Sequence, residues 1–187
     1  MNMKGFTLIE AMIAVTIVTF AVAGPLVTAS RAIVAAKIAH DQLVASYLAQ
    51  EGVEYIHLMR DDEYLAAYQA GGTSISTAAW NNFISGSDAA SITQCRAPSV
   101  CTLDPTRTMG TGSGLSLALC SGTCAALFVN SNGLYNQQSS GTRTPYTRSI
   151  QAIDVSATDE RIISTVSWSD HSIPYSVTVT DHLTPWQ

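Results

Sequence analysis

The order of apolar and polar residues divides the chain into an apolar beginning and a more polar remainder. Residues 11–29 contain no ionisable side chain, and with residues 6–9 the apolar stretch is about 20 residues long, enough to span a membrane as a helix. Lys4 precedes the stretch and basic residues also follow it, so the flanking charges indicate orientation only weakly. The short N-terminal tail favours a cytoplasmic start, which would place everything after about residue 30 outside the cytoplasm.

Apolar residues continue to recur at helical spacing after residue 30, now with charged and amide residues between them. The apolar positions of this stripe are Ile33, Val34, Leu43, Val44, Tyr47, Leu48, Tyr55, Leu58 and Met59. Gly52 costs a helix about 1 kcal/mol relative to alanine, and it either allows close packing or has no role. The pair Gly71 and Gly72 is the first strong stop signal. Residues 31–70 are therefore predicted to be an amphipathic continuation of the helix that lies against a globular head.

The remaining residues, 71–187, have the composition of loops and short strands. Ser, Thr, Gly and Ala dominate until residue 114, with one short helix expected around residues 78–84. Later runs of apolar and β-branched residues predict strands, and the dipeptide Asn132-Gly133 predicts a tight turn. The first of these strands are expected at residues 115–119, 125–129 and 134–135.

Alternation of apolar and polar residues is clearest near the end of the chain, over residues 162–168 and 175–183. The first of these strands is expected to present one face made of Ile162, Ser164, Val166 and Trp168. A hairpin loop over residues 169–173 is expected between them, with Pro174 at the start of the last strand, where its missing N–H matters least. An antiparallel sheet can bury one face and expose the other. The expected fold class is α+β, with a long N-terminal helix packed on a small antiparallel β-sheet head.

Composition narrows the function classes. Charged residues make up 12% of the chain and hydrophobic residues 47%, an excess that the apolar front segment explains. The formal net charge is −5 and no cluster of Lys and Arg occurs, so nucleic acid is not expected as a partner. The sequence has neither a G-x-S-x-G nor an H-E-x-x-H pattern, and its four histidines are scattered. We therefore expect no enzymatic activity, no cofactor and no metal.

Four cysteines lie in the part of the chain that is expected outside the cytoplasm: Cys95, Cys101, Cys120 and Cys124. An even number of cysteines in an oxidising compartment favours disulfides over a zinc site, and the C-x5-C spacing departs from the common zinc knuckle. Three connectivities are possible, and pairing of the sequence neighbours is only a guess among them. Either way, bridges would tie down a disulfide-containing loop region of the head.

Large aromatic side chains allow two interpretations. They would form either a ligand-binding or adhesive surface or part of the packed core, and aromatic residues in small sheet domains are far more often core. The residues concerned are Trp80, Tyr146, Trp168 and Trp186.

Glu10 is an acid inside the apolar front segment. A carboxylate in a membrane helix costs about 3 kcal/mol at the bilayer centre and less near the interface, and such residues usually have a partner and a function. One interpretation places Glu10 close enough to the interface to remain solvated or protonated. The other pairs it with a charge created later, because cleavage after Gly5 would free the amine of Phe6 at the positive end of the helix. A neighbouring copy of the chain would then supply the acid for that amine.

Residues 4–10, KGFTLIE, resemble the processing motif of type IV prepilins and of the pseudopilins of type II secretion. The resemblance implies that a membrane peptidase, the prepilin peptidase, cuts between Gly5 and Phe6. It also implies N-methylation of Phe6 and a role for Glu10 in assembly with other pilin subunits. Residues 47–56 further resemble the helix of minor pilins. Pilins often carry a helix-breaking residue in the stem, and Pro25 is expected to kink the helix here.

Two alternatives remain open. A pseudopilin that serves secretion carries the same type of motif as a pilus subunit. A freely secreted binding module, cleaved after Ala23 at an A-x-A site, is the second. Glu10 interrupts the apolar region that a signal peptide needs, and the helical pattern continues past Ala23, so both features weigh against the secreted module.

These observations predict a leader peptide at residues 1–5, a transmembrane and filament-core helix at 6–30, a stem helix at 31–70 and a head at 71–187. The precursor is expected to be a single-pass protein of the cytoplasmic membrane. After cleavage it would join an extracytoplasmic filament at the cell surface.

Overall fold

A computed structural model describes residues 7–86, 91–112 and 114–185. The first element is helix α1, Leu8–Ala70, with 63 residues. Gly71 follows it with a φ of +69°, a left-handed conformation that glycine adopts without the steric cost of a Cβ. The chain forms two compact units, one that ends at Asp41 and one that begins at Gln42. The expectation of a long helix that stops at the paired glycines is confirmed.

The second unit contains the part of α1 that packs on the sheet. Its buried positions recur every three or four residues, as one helix face requires: Ala45, Leu48, Ala49, Gly52, Val53, Ile56, Met59 and Glu63. The predicted stripe was wrong for Leu43, Tyr47 and Leu58, which are more than half exposed. The small residues alanine and glycine, which carry little hydrophobic signal, line the true contact face. The sequence pattern therefore gave too much weight to the larger apolar residues beside it.

Gly52 lies at a close contact between α1 and the sheet. A Cβ built on this residue would overlap the Ser164 Oγ atom and would lie 2.7 Å from Cδ1 of Ile150. A larger side chain at this position would therefore require the side chains of Ser164 and Ile150 to move. Of the two roles considered for this glycine, close packing is the one that the structure supports.

The remaining elements follow α1 in chain order. Helix α2 is Ile75–Ser85, which confirms the short helix expected there, and a single 3-10 turn spans Thr93–Cys95. The strands are β1 Cys101–Leu103, β2 Leu117–Leu119, β3 Ala126–Val129, β4 Tyr135–Asn136, β5 Thr142–Ser156, β6 Asp159–Asp170 and β7 Ile173–Leu183. The chain is thus α+β with an antiparallel sheet, as predicted.

Strand β5 is the centre of the sheet. It pairs with β6 on one side, and on the other side with β1 and β3, which are extended by β2 and β4 respectively. All of these pairings are antiparallel. Strand β5 was not predicted, although it is the longest strand with 15 residues. Pro145 and the inward-facing Arg148 break the apolar alternation by which strands are recognised.

Strands β6 and β7 form the hairpin predicted at the end of the chain, but its loop is shorter than expected. Asp170 pairs with Ile173, which leaves only His171 and Ser172 as the turn. Both have positive φ, 48° and 68°, as a two-residue turn of type I′ requires. The predicted loop over residues 169–173 was too long because neither residue is the glycine or asparagine that marks such turns. The alternation of buried and exposed residues in both strands is confirmed.

The core of the second unit has two clusters. The larger one joins α1, α2 and the sheet, and its largest members are Ile56, Met59, Trp80, Phe83, Leu103, Ile150 and Ile162. The smaller one packs on an earlier part of α1, and its largest members are Leu48, Leu127, Tyr146, Val166 and Trp168. The aromatic residues Trp80, Tyr146 and Trp168 are therefore core residues, whereas Trp186 lies outside the described residues.

Candidate functional site

The first half of α1 exposes its apolar side chains. Every large apolar side chain in residues 8–34 is more than half exposed, and Leu8 and Phe20 are each 80% exposed. By length and composition this helix is able to cross a membrane. Exposed apolar surface on this scale marks contact with lipid or with other protein chains.

The hydroxyl groups of this segment are turned back onto the helix. Thr16 donates to the carbonyl of Ile13 and Thr19 to that of Thr16, each at 2.8 Å. Thr28 and Ser30 donate in the same way to carbonyls of the preceding turn. Such bonds satisfy polar groups that would otherwise be costly in lipid. Residues 8–30 therefore offer one polar side chain that the helix backbone does not satisfy, the carboxylate of Glu10.

Glu10 lies in the first turn of α1, and its position is fixed by a helix cap. The backbone N–H of Glu10 donates to Oγ1 of Thr7 at 3.4 Å, and the N–H of Ala11 donates to the carbonyl of Thr7 at 3.1 Å. Threonine followed by glutamate three residues later is the capping-box pattern of a helix start. This cap was not predicted, although its pattern is visible in residues 7–10, TLIE.

The carboxylate of Glu10 is exposed, and the described part of the chain offers it no basic partner. The positive end of the helix dipole favours an anion at this position. The predicted cleavage site between Gly5 and Phe6, and the predicted methylation of Phe6, lie outside the described residues. A free amine on Phe6 would stand one turn before Glu10 in sequence.

Pro25 lies inside α1, preceded by Gly24. Proline has no N–H, so the carbonyl of Ala21 lacks its usual donor four residues later. Thr28 Oγ1 donates to the carbonyl oxygens of Gly24 and Pro25 at 3.0 Å, so it does not replace the donor that the Ala21 carbonyl loses. A Cβ on Gly24 would meet nothing within 4 Å. The kink expected at Pro25 stays a prediction.

The four cysteines form two bridges between sequence neighbours, Cys95–Cys101 and Cys120–Cys124. The first pair is fully buried in the larger core cluster and joins the 3-10 turn to β1. The second pair closes the short connection between β2 and β3. Both tie down segments that have little regular secondary structure, which limits the unfolded ensemble.

A fully buried arginine joins α1 to the sheet. Nη1 of Arg148 on β5 donates to the carbonyl of Leu48 at 3.0 Å and to the carboxylate of Glu51, and Nη2 donates to the carbonyl of Leu103 at 3.0 Å. Burial lowers the pKa of Arg148, while the charge of Glu51 acts in the opposite direction. The guanidinium therefore depends on these acceptors for its charge in the core.

Two further ion pairs hold elements of the second unit together. Arg96 binds the fully buried Glu160 through both carboxylate oxygens, and this hydrogen bond raises the pKa of Arg96. His57 on α1 contacts Asp181 on β7 at 2.7 Å, and this bond lowers the pKa of the Asp181 carboxyl. Neither pair was predicted, because each joins residues more than 60 positions apart.

Asp104 organises the loop after β1. Its carboxylate accepts from the backbone and hydroxyl of Thr106, from Nε of Arg107 and from the backbone of Gln137, at 2.6 to 3.1 Å. Burial acts to raise the pKa of Asp104, but the hydrogen bonds outweigh it and hold the pKa below its usual value. The carboxylates of Asp104, Glu160 and Asp181 thus have hydrogen-bond partners within the second unit, and these bonds hold its elements together.

Among the described residues, no group of three or more His, Cys, Asp and Glu side chains is placed to hold a metal ion. The candidate site with chemistry left over is therefore the start of α1, where Glu10 adjoins the exposed apolar surface.

Comparison with known proteins gives one match. Residues 1–24 match the family model described as "Prokaryotic N-terminal methylation motif", which is the prepilin-type motif of type IV pilins and pseudopilins. No curated protein and no solved structure matches the chain. The match covers the predicted cleavage site, Glu10 and most of the apolar segment, and the resemblance of the front end is confirmed. The first 24 residues thus carry a prepilin-type motif, and this motif and the apolar helix fit a membrane-anchored precursor.

Proposed function

We propose that this chain is a structural, non-enzymatic subunit of a type IV pilus-like filament, processed after Gly5 and assembled through α1. The observation that carries the proposal is the exposed apolar surface of residues 8–30, in which Glu10 is the one polar side chain that the helix backbone does not satisfy. A soluble domain has no use for such a surface. A membrane anchor that later packs among identical or related helices needs both the apolar surface and the Glu10 carboxylate.

The apolar surface and the Glu10 carboxylate have different roles in assembly. Movement of an apolar helix from lipid to a protein bundle gains little from the hydrophobic effect, because both surroundings are apolar. Close packing of the helices then supplies the stabilisation, and it tolerates several registers. An ion pair in a medium of low polarity is more selective, since an unpaired charge there is strongly disfavoured.

Cleavage supplies the missing partner. Removal of residues 1–5 would create a free amine on Phe6, at the positive end of α1, for which the Glu10 carboxylate of a neighbouring subunit is the counter-ion. The register of subunits would thus depend on prior processing by a prepilin peptidase. A precursor that keeps its leader has no such amine and would remain in the cytoplasmic membrane.

Within this proposal the subunit is a minor pilin, for which the resemblance of residues 47–56 is the support. A pseudopilin of a secretion system is the alternative, because the N-terminal motif belongs to both classes. Filaments sheared from the cell surface separate the two: a minor pilin is present in the sheared fraction at low stoichiometry, whereas a pseudopilin stays with the cell envelope.

The mature N-terminus tests the proposal. Mass spectrometry of the protein from its host should find a chain that begins at N-methylated Phe6. A chain that begins at Gly24 would replace the proposal with the secreted binding module. A matched pair of variants sharpens the result, since Gly5→Leu should block maturation while Ala23→Leu, which destroys the A-x-A site, should leave it unchanged.

A further inference from the structure

Two charged residues bracket the most apolar part of α1. Glu10 and Arg31 are 21 positions apart on one continuous helix, and no ionisable residue lies between them. At a rise of 1.5 Å per residue, their Cα atoms are about 32 Å apart along the helix axis. The hydrocarbon core of a bilayer is about 30 Å thick. The helix between the two charges therefore has the length of one bilayer core.

The segment between the two charges also suits a bilayer core in composition. Its large apolar side chains are more than half exposed. All four of its hydroxyl side chains donate to backbone carbonyls of the same helix. Lipid can therefore surround residues 11–30 without leaving a polar side chain unsatisfied.

Arg31 interrupts an apolar run that would otherwise continue to residue 36. Residues 32–36 are all alanine, isoleucine or valine, and the next charge is Lys37. A membrane boundary at Lys37 would place Arg31 about 9 Å inside the hydrocarbon, where a charged side chain is strongly disfavoured. A shift of the helix by one turn in the opposite direction would draw Glu10 about 5 Å into the core. One register therefore keeps both charges at the membrane boundaries.

The direction of the side chains fits this register. In an α-helix every Cα–Cβ bond tilts toward the N-terminus of the helix. With the start of the chain in the cytoplasm, Glu10 leans out of the hydrocarbon, whereas Arg31 leans from the outside toward the lipid. Arg31 is exposed, and the described part of the chain offers it no acidic partner.

We propose that Arg31 binds the phosphate groups of lipids in the outer leaflet and thereby sets the depth of the precursor, with Glu10 at the cytoplasmic boundary. This proposal rests on the membrane-anchored precursor of the proposed function. A guanidinium donates two parallel hydrogen bonds to a phosphate, whereas an ammonium group acts as a point charge. Arg31 is thus suited to hold its position at the phosphate layer.

This depth gives Glu10 two successive environments. In the precursor, its carboxylate lies at the hydrated boundary, where a charge costs little. When the helix leaves the bilayer for a filament, the same carboxylate enters packed apolar surroundings and needs the Phe6 amine of a neighbouring subunit. The two interpretations considered for Glu10 thus apply to different stages of assembly.

Single cysteine variants of the full, uncleaved chain measure the depth, because all four native cysteines are in disulfides. The chain is inserted in vesicles of phosphatidylethanolamine and phosphatidylglycerol with its head outside. A membrane-impermeant maleimide should modify Val34→Cys and leave Leu26→Cys unmodified, although both side chains are exposed on the helix. Added Arg31→Leu makes the run apolar up to residue 36, so Val34→Cys should lose its reactivity. Added Arg31→Lys should preserve it.

His40→Cys, beyond Lys37, should react in every variant and is the control for insertion and orientation. Protection of Val34→Cys in the parent chain would place the boundary at Lys37 and overturn the proposal. Unchanged modification of Val34→Cys after Arg31→Leu would also overturn it, because Arg31 would then not set the depth.

Solid-state NMR of the same vesicles in phosphate-free buffer tests the contact with lipid phosphate. With isotope-labelled guanidinium carbons, lipid phosphorus should attenuate one arginine signal, and Arg31→Lys should abolish this attenuation. A chain without any attenuated signal would refute the phosphate contact. A mature N-terminus at Gly24 would refute the filament role without changing these results for the uncleaved chain, so the two proposals fail separately.

Discussion

The guanidinium of Arg148, on the central strand, lies fully inside the second unit and contacts the carboxylate of Glu51 on α1 at 2.5 Å. Glu51 is 43% exposed in its side chain, so the pair connects the interior with the surface. The other acceptors of this arginine are backbone carbonyls on α1 and β1. One side chain thus connects α1 with two strands of the sheet.

Removal of this clamp should destabilise the head strongly. Arg148→Ala removes the hydrogen bonds to Glu51 and to the carbonyls of Leu48 and Leu103 and leaves a cavity, and we expect a loss of about 3 kcal/mol in the free energy of unfolding. Glu51→Gln keeps a neutral acceptor at the exposed end, and its cost should be smaller, about 1 kcal/mol. Urea titration of the full chain in detergent, followed by fluorescence of the buried Trp80 and Trp168, measures both. Equal losses for the two variants would contradict this order.

Gly52→Ala tests the close approach of α1 to the sheet. Helix propensity alone would stabilise the alanine variant by about 1 kcal/mol. The overlap with Ser164 and Ile150 acts in the opposite direction, and overpacking of this kind costs about 1–3 kcal/mol. We expect net destabilisation in urea titration. Gly24→Ala is the matched control, because its Cβ meets nothing, and it should leave the unfolding of the head unchanged. A stabilised Gly52→Ala variant would contradict the packing described here.

The pair His57 and Asp181 predicts how stability depends on pH. The pKa of Asp181 is lowered in the folded state by the hydrogen bond to His57. A carboxyl with a depressed pKa contributes stability above its unfolded value, about 3.9, and loses that contribution as the pH falls through its folded value. Asp181→Asn should therefore reduce the loss of stability between about pH 5 and pH 2. Thermal unfolding across this range checks it, with Glu54→Gln on the exposed side of α1 as the control. If Asp181→Asn lost as much stability at low pH as the parent chain, the role of the His57–Asp181 pair would be contradicted.

Local patterns in the sequence predicted more of this protein than long-range ones. The front motif and the glycine stop of α1 depend on neighbouring residues, and so does the alternation in β6 and β7; all were recognised. Strand β5 was not, because Arg148 occupies an inward position whose burial depends on acceptors from α1 and β1. The buried face of α1 was only half recognised, since Ala45, Ala49 and Gly52 are small for packing reasons that only the sheet opposite them explains.

At the candidate site, too, only part of the arrangement was predicted from the sequence. Glu10 stands out in the sequence because an acid in an apolar run is costly, whereas its cap by Thr7 was missed and only the geometry drew attention to it. The cap gives Glu10 a second role, since an acid in the first turn also stabilises a helix start. A decisive experiment must separate this local role from pairing with a neighbouring subunit.

The most direct measurement is filament assembly by a matched pair of variants, Glu10→Gln and Thr7→Ala, each with its N-terminus confirmed as Phe6 by mass spectrometry. Thr7→Ala removes the cap, at about 1 kcal/mol of local helix stability, and keeps the carboxylate. Glu10→Gln keeps the cap donor and removes the charge. The account predicts that Thr7→Ala subunits still appear in sheared filaments while mature Glu10→Gln subunits remain in the membrane. Incorporation of mature Glu10→Gln at the parental level would contradict it.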